Sequence, residues 1–148
     1  MASLNTARIK TRLSALKEEL TQFRTLLALE YSDKGSYAGL NGQINWANNP
    51  VHAFAGTCDQ MYPLNSNASI YIPQANALCK KILEISSGNA QGYALHVRGD
   101  SSLFSAESWF GPEGLLYCVG SSGISFGKAF INLPGNPVYD NIGCHQNP

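Results

Sequence analysis

Charge is scarce in this sequence and net charge is absent: ten Lys and Arg offset ten Asp and Glu, and charged residues make up 14% of the chain, against roughly 25% in an average soluble domain. That balance excludes the whole-chain basic footprint of a nucleic-acid-binding protein. No run of about 18 apolar residues occurs, so no segment reads as a membrane span. No leader peptide precedes the first helical pattern. GxGxxG, Walker and EF-hand patterns are missing, and with them the sequence signatures of dinucleotide, nucleotide-phosphate and calcium-loop chemistry. There is no CxxC. Zinc sites built from cysteine draw ligands in close pairs, because one short turn must aim two sulfurs at one ion.

What is present is an even set of four cysteines, Cys58, Cys79, Cys118 and Cys144, nowhere closer than 21 positions. Two disulfides in an oxidising compartment are the plainer reading, with three connectivities open. An oxidised chain implies an export signal since removed, or a piece of something longer. The opening "MASLNTARIK" favours the second, since it enters a helical pattern at once, as a longer helix would if cut and given a methionine. The length of 148 residues, 44% of them hydrophobic, suits one domain with one core.

From Ser3 to Tyr31, Ile9, Leu13, Leu16, Leu20, Phe23 and Leu27 recur at steps of 4, 3, 4, 3 and 4, one stripe on a helix. Asp33, Lys34 and Gly35 supply a stop. At 1.5 Å per residue this helix is about 40 Å long, as tall as the whole domain. Residues 35–90 read as a long ordered loop, anchored by Tyr37, Leu40, Ile44, Trp46, Val51 and Phe54. It contains a short helix over 73–86, started by Pro73, with Cys79 on its buried side facing the segment that carries Cys58. Residues 92–133 turn to period two: "GYALHVRG", "SLFSAESWF", "LLYCV" and "ISFGKAF" predict four strands joined by turn chemistry, with His96 and Arg98 on a wet face. The tail, 134–148, lacks a period. The layout predicts an α+β fold, a long N-terminal helix packed on a four-stranded antiparallel β-meander.

Little of this suggests catalysis. His52, His96 and His145 lie far apart and share no motif with a carboxylate, and Cys118 falls inside a strand, where a bridged sulfur is commoner than an activated thiolate. "GSSG" at Gly120 to Gly123 precedes a strand, whereas a nucleophile elbow needs a helix there. Asp59, Asp100, Asp140 and Asn141 are too scattered for a calcium site and read as turn formers. Lys80, Lys81 and Arg98 read as solvated surface. Asn67 opens an Asn-Ala-Ser glycosylation match. No catalytic residue, metal or cofactor is expected.

Two stretches resemble a known family. "ASLNTARIKTRLSALKEELTQFRTLLALEYSDKGSYAGL" is similar to the exposed half of the long first helix of type IV pilins and pseudopilins, running into the loop that crosses to the sheet. "YCVGSSG" resembles the aromatic-Cys-Val strand and Ser-x-Gly turn of such proteins, with Gly120 where the family often has Asp. The resemblance implies a non-catalytic filament subunit at the cell surface, partnered by other pilin subunits. Its membrane anchor before assembly would be an upstream apolar half-helix. Ile9 to Leu27 would dock on the sheet or on neighbouring subunits. Cys118 would bridge to Cys144 around the C-terminal region, and Cys58 to Cys79 in the loop before the sheet. The rival readings are a type II secretion pseudopilin and a secreted glycan- or DNA-binding module presenting Trp46, Trp109 and Tyr139 as a ligand face.

Overall fold

A computed structural model describes residues 2–45, 56–86, 93–110, 115–121, 123–128 and 144. Helix α1 (Ala2–Lys34) runs 33 residues with no Gly or Pro inside it. Its stop is where the sequence puts it: Gly35 takes φ +67°, and its N–H donates to Tyr31 O at 2.7 Å. Glycine suits this left-handed position because it has no Cβ to clash there. A 3-10 turn (Ala38–Leu40) and strand β1 (Gly42–Asn45) follow. The one-turn helix α2 (Cys58–Met61) starts at a capping box in which Thr57 and Gln60 satisfy each other's backbone N–H groups. Helix α3 (Ile72–Ser86) begins one residue ahead of the predicted 73–86.

Strands β2 (Tyr93–Gly99), β3 (Phe104–Phe110), β4 (Leu115–Gly120) and β5 (Gly123–Lys128) form the expected antiparallel meander. Among the described residues the sheet has five strands, in the order β1-β2-β3-β4-β5. β1 comes from the stretch read as loop. It pairs with β2 from Gly42↔Val97 to Asn45↔Tyr93, with a register shift after Ile44. Four residues rich in Gly, Gln and Asn carry too little alternation to announce a strand, and the exposed edge of β2 recruits them.

Alternation along the strands sorts two faces. Ile44, Leu95, Val97, Phe104, Ala106, Phe110, Tyr117 and Val119 pack toward the helices in one core. Leu16, Leu20, Phe23 and Leu27 of α1 are fully buried against it, each contributing about 1.5–3 kcal/mol of apolar burial. Helix α3 lies antiparallel beside α1: Asp33 Oδ2 accepts from Tyr71 OH at 2.6 Å near one end, and Lys81 Nζ stands 3.4 Å from Glu19 Oε1 farther down.

Candidate functional site

The helical stripe is the first predicted site, and the structure divides it. Leu16, Leu20, Phe23 and Leu27 dock on the sheet, Leu13 is half-buried, and Ile9 is 43% exposed. Every residue from Leu4 to Arg12 is exposed. The break falls at Arg12, whose guanidinium donates from Nε to Ile85 O at 3.1 Å and lies 5.6 Å from the Phe110 ring centroid. A cation there complements the carbonyl end of α3. One turn on, Lys17 Nζ sits 5.4 Å from the Tyr117 ring centroid. Ile9 keeps the helical period of the stripe but takes no part in the buried core of the described residues.

The cysteines are all paired. Cys58 bonds Cys79 with Cα atoms 5.8 Å apart, and Cys118 bonds Cys144 at 5.7 Å. Asn76, 3% exposed, braces the first bridge: its Nδ2 reaches Tyr62 O and Asp59 Oδ1 at 2.9 Å and Cys58 O at 3.2 Å. The second bridge lies on the sheet face away from α1 and explains Gly120. A Cβ at Gly120 would stand 2.6 Å from Phe104 O and 3.1 Å from Cys144 Sγ, so no side chain fits. Ser121 of the "GSSG" turn is committed to the backbone: its N–H donates to Phe104 O at 3.0 Å and its Oγ accepts from Phe104 N at 3.2 Å.

That same face holds a polar row the sequence did not reveal. Gln43, His96, Glu107 and Cys118 are successive cross-strand partners. His96 was expected on a wet face, yet it is 5% exposed, and Arg98 is half-buried. Burial is tolerated because the groups satisfy each other: Arg98 Nε donates to His96 Nε2 at 2.6 Å, and His96 Nδ1 lies 2.8 Å from Glu107 Oε1. A guanidinium only donates. Nε2 is therefore the acceptor and Nδ1 carries the proton toward Glu107. The ring's lone pair is occupied by Arg98, which leaves this carboxylate–imidazole pair a sheet-bracing role rather than that of a poised base.

A second buried carboxylate, Glu30, continues the α1 stripe three residues past Leu27 and is fully buried. Its Oε2 accepts from Ser69 Oγ, and its Oε1 stands 3.8 Å from Lys34 Nζ, which donates to Ala68 O. A Cβ on Gly39 would overlap Oε1. The serine of the Asn67 glycosylation match is thus held by α1.

The candidate calcium residues are occupied otherwise. Asp59 binds Lys80 Nζ at 2.8 Å, which with the Asn76 hydrogen bond holds its carboxyl below the usual range. Asp100 accepts from Leu103 N and Ser102 N, which lowers it likewise. Asp140 and Asn141 lie outside the described residues. Among the described residues, no group of three or more His, Cys, Asp or Glu gathers to hold a metal. Lys80 and Lys81 are half-exposed and paired with Asp59 and Glu19. Trp46 and Tyr139 lie outside the described residues, and Trp109 is placed by its backbone alone, opposite Leu116.

Among the described residues a concave surface also forms. A groove of about 420 Å³ runs between α1 and α3, floored by Leu26, Leu29, Ala77 and Leu78 and edged by Gln22 and Lys81. Leu29 is 45% exposed there. No family model, curated protein or solved structure matches the chain.

Proposed function

We propose that this chain is the globular part of a type IV pilin-like subunit, exported to the cell surface and assembled with other pilin subunits into a filament. The observation that carries the reading is the division of α1. Its second half is clamped to the sheet through Leu16 to Leu27, while its first turns leave the domain with Leu4 60% and Ile9 43% exposed. A helix that outruns its own core is suited to meet neighbours. The two disulfides support an oxidising destination, and the Cys118–Cys144 bridge stands where the resemblance expects it. In this reading the protein performs no chemistry: helix packing holds subunits together, and the sheet with its bridged tail is displayed. An upstream apolar half-helix would anchor the subunit before assembly, and such a surface would not stay exposed to water.

The test is the genomic reading frame ahead of Ala2. The expected result is about 20 apolar residues behind a short basic leader; a frame without them overturns the filament reading. A pseudopilin has the same frame, and is separated by electron microscopy of the assembled full-length subunit, which in our reading forms long filaments.

A further inference from the structure

We infer that the exposed turns of α1, Leu4 to Arg12, stand in a layer of anionic phospholipid headgroups, with Arg8 and Lys10 on the phosphates. The inference rests on the filament reading and deepens it, by naming the lipid chemistry that meets the subunit where its helix leaves the membrane before assembly.

Three observations point to an anionic layer. Charge is segregated along the chain. Residues 2–17 carry four cations, Arg8, Lys10, Arg12 and Lys17, and no anion, which leaves six cations against ten anions for all the rest. A neutral molecule thus has a rod of net +4 and a remainder of net −4, so an anionic surface attracts the rod and turns the globule away. The fold does not use the outermost of these cations. Arg8 and Lys10 are exposed, and among the described residues neither enters an ion pair. Arg12 follows Arg8 by one turn, a like-charged pair at i,i+4 that costs an isolated helix stability, and no acid lies three or four residues from either. Counter-charge for Arg8 and Lys10 has to come from outside the rod.

The arrangement around the helix selects the shape of the partner. Lys10 is about 200° around the axis from Arg8, and Ile9 about 140° from Leu4. A flat protein face or a duplex touches one side of a rod, whereas a headgroup layer surrounds it. Arg8 to Arg12 covers about 6 Å of axis, within the roughly 5–8 Å depth of the headgroup region on each side of a bilayer. Leu4 then falls on the hydrocarbon side of that band, and Leu13, where burial begins, on the side of the globule.

The experiment mixes the 148-residue chain, both disulfides intact, with vesicles of phosphatidylcholine alone or of equal parts phosphatidylcholine and phosphatidylglycerol, and reads binding by flotation at low and high salt. Binding is expected to the anionic vesicles only, and to fall as salt screens it. Arg8→Gln and Lys10→Gln should each weaken it about fivefold, and both together by more than about tenfold, with circular dichroism unchanged because both side chains are exposed. Lys80→Gln with Lys81→Gln, on the globule, should leave binding as it was. The inference is overturned by no binding to the anionic vesicles, by equal binding to both kinds, or by an equal loss from the globule variant. It is overturned likewise by displacement from vesicles with duplex DNA at equal phosphate, or by a loss from only one of Arg8→Gln and Lys10→Gln, which would lay the helix flat. Each of those outcomes leaves the filament reading standing. A reading frame without the apolar segment removes that reading whatever the vesicles show.

Discussion

Gly120 is the residue at which sequence and structure inform each other most. In the sequence it is a departure from the Asp common in the resembling turn; in the fold it is the position where the carbonyl of Phe104 and the sulfur of Cys144 leave no space. Gly120→Ala should therefore destabilise by about 1–3 kcal/mol, the cost of forcing an extra carbon into a packed site, and should slow closure of the Cys118–Cys144 bridge. Thermal denaturation and alkylation of cysteines during refolding read the two effects. A variant as stable and as quickly oxidised as the parent would show that the turn yields without strain. Glu30 and His96 went unrecognised for a common reason. Hydropathy assigns a charged or titratable side chain to solvent, and only the neighbours supplied by the fold, Ser69 and Lys34 for one, Glu107 and Arg98 for the other, make burial tolerable. Glu30 nonetheless keeps the stripe's spacing, so a reading by position rather than by polarity finds it.

At the scale of elements, α1, α3 and the four-stranded meander were legible because long periodic segments carry their own signal. Where an element stops being packed was not legible: Ile9 and Leu20 are equivalent in period, but one is 43% exposed and the other fully buried. Periodicity describes a face; it does not say how far the opposing surface extends. Phe23 packs at 6.1 Å between ring centroids against Tyr62, and Phe23→Ala should cost about 3–5 kcal/mol in urea denaturation. Ile9→Ala should stay within about 0.5 kcal/mol. Equal losses would mean that the first turns of α1 are held by the domain after all. β1 lay beyond the sequence for a different reason: an edge strand is specified by the neighbour that accepts it. Spacing alone leaves three pairings of four cysteines open, and the pairing implied by the resemblance, Cys58 with Cys79 and Cys118 with Cys144, is the one the fold makes.

For the whole molecule, stability against pH follows from groups whose environments differ between folded and unfolded chains, Asp59, Asp100 and Tyr62 among them. Tyr71, through its hydrogen bond to Asp33, and Tyr117, through burial, are raised in the same sense as Tyr62. Asp59 and Asp100 titrate lower in the folded state than the 3.8 of a free carboxyl, Asp59 through its hydrogen bond with Lys80 and Asp100 through the Leu103 and Ser102 amides. Their stabilisation is complete above pH 3.8 and is lost as pH falls from there through the lowered folded values. Tyr62, 1% exposed and donating its hydroxyl to Leu40 O at 2.9 Å, is pushed well above 10.0 by burial. Its contribution is complete below pH 10.0 and is lost as pH rises past that value. These groups thus leave stability level across the middle range and erode it at both ends. Urea midpoints measured from pH 2 to 11 test this, and Tyr62→Phe should flatten the alkaline fall while lowering the plateau by about 1–3 kcal/mol for the carbonyl left unpaired. An alkaline fall that persists undiminished in that variant would assign it to other groups.

The seating of α1 along the sheet also decides how the domain bears tension. Leu16, Leu20, Phe23 and Leu27 are spaced along the helix axis and interlock with the same core, so a pull applied at the helix's first turn meets them side by side. They must slide together in shear, not peel away one after another. The Arg12 clamp on Ile85 O lies ahead of them on that path, and the Cys58–Cys79 link ties α3 behind it to α2, spreading the strain into covalent bonds.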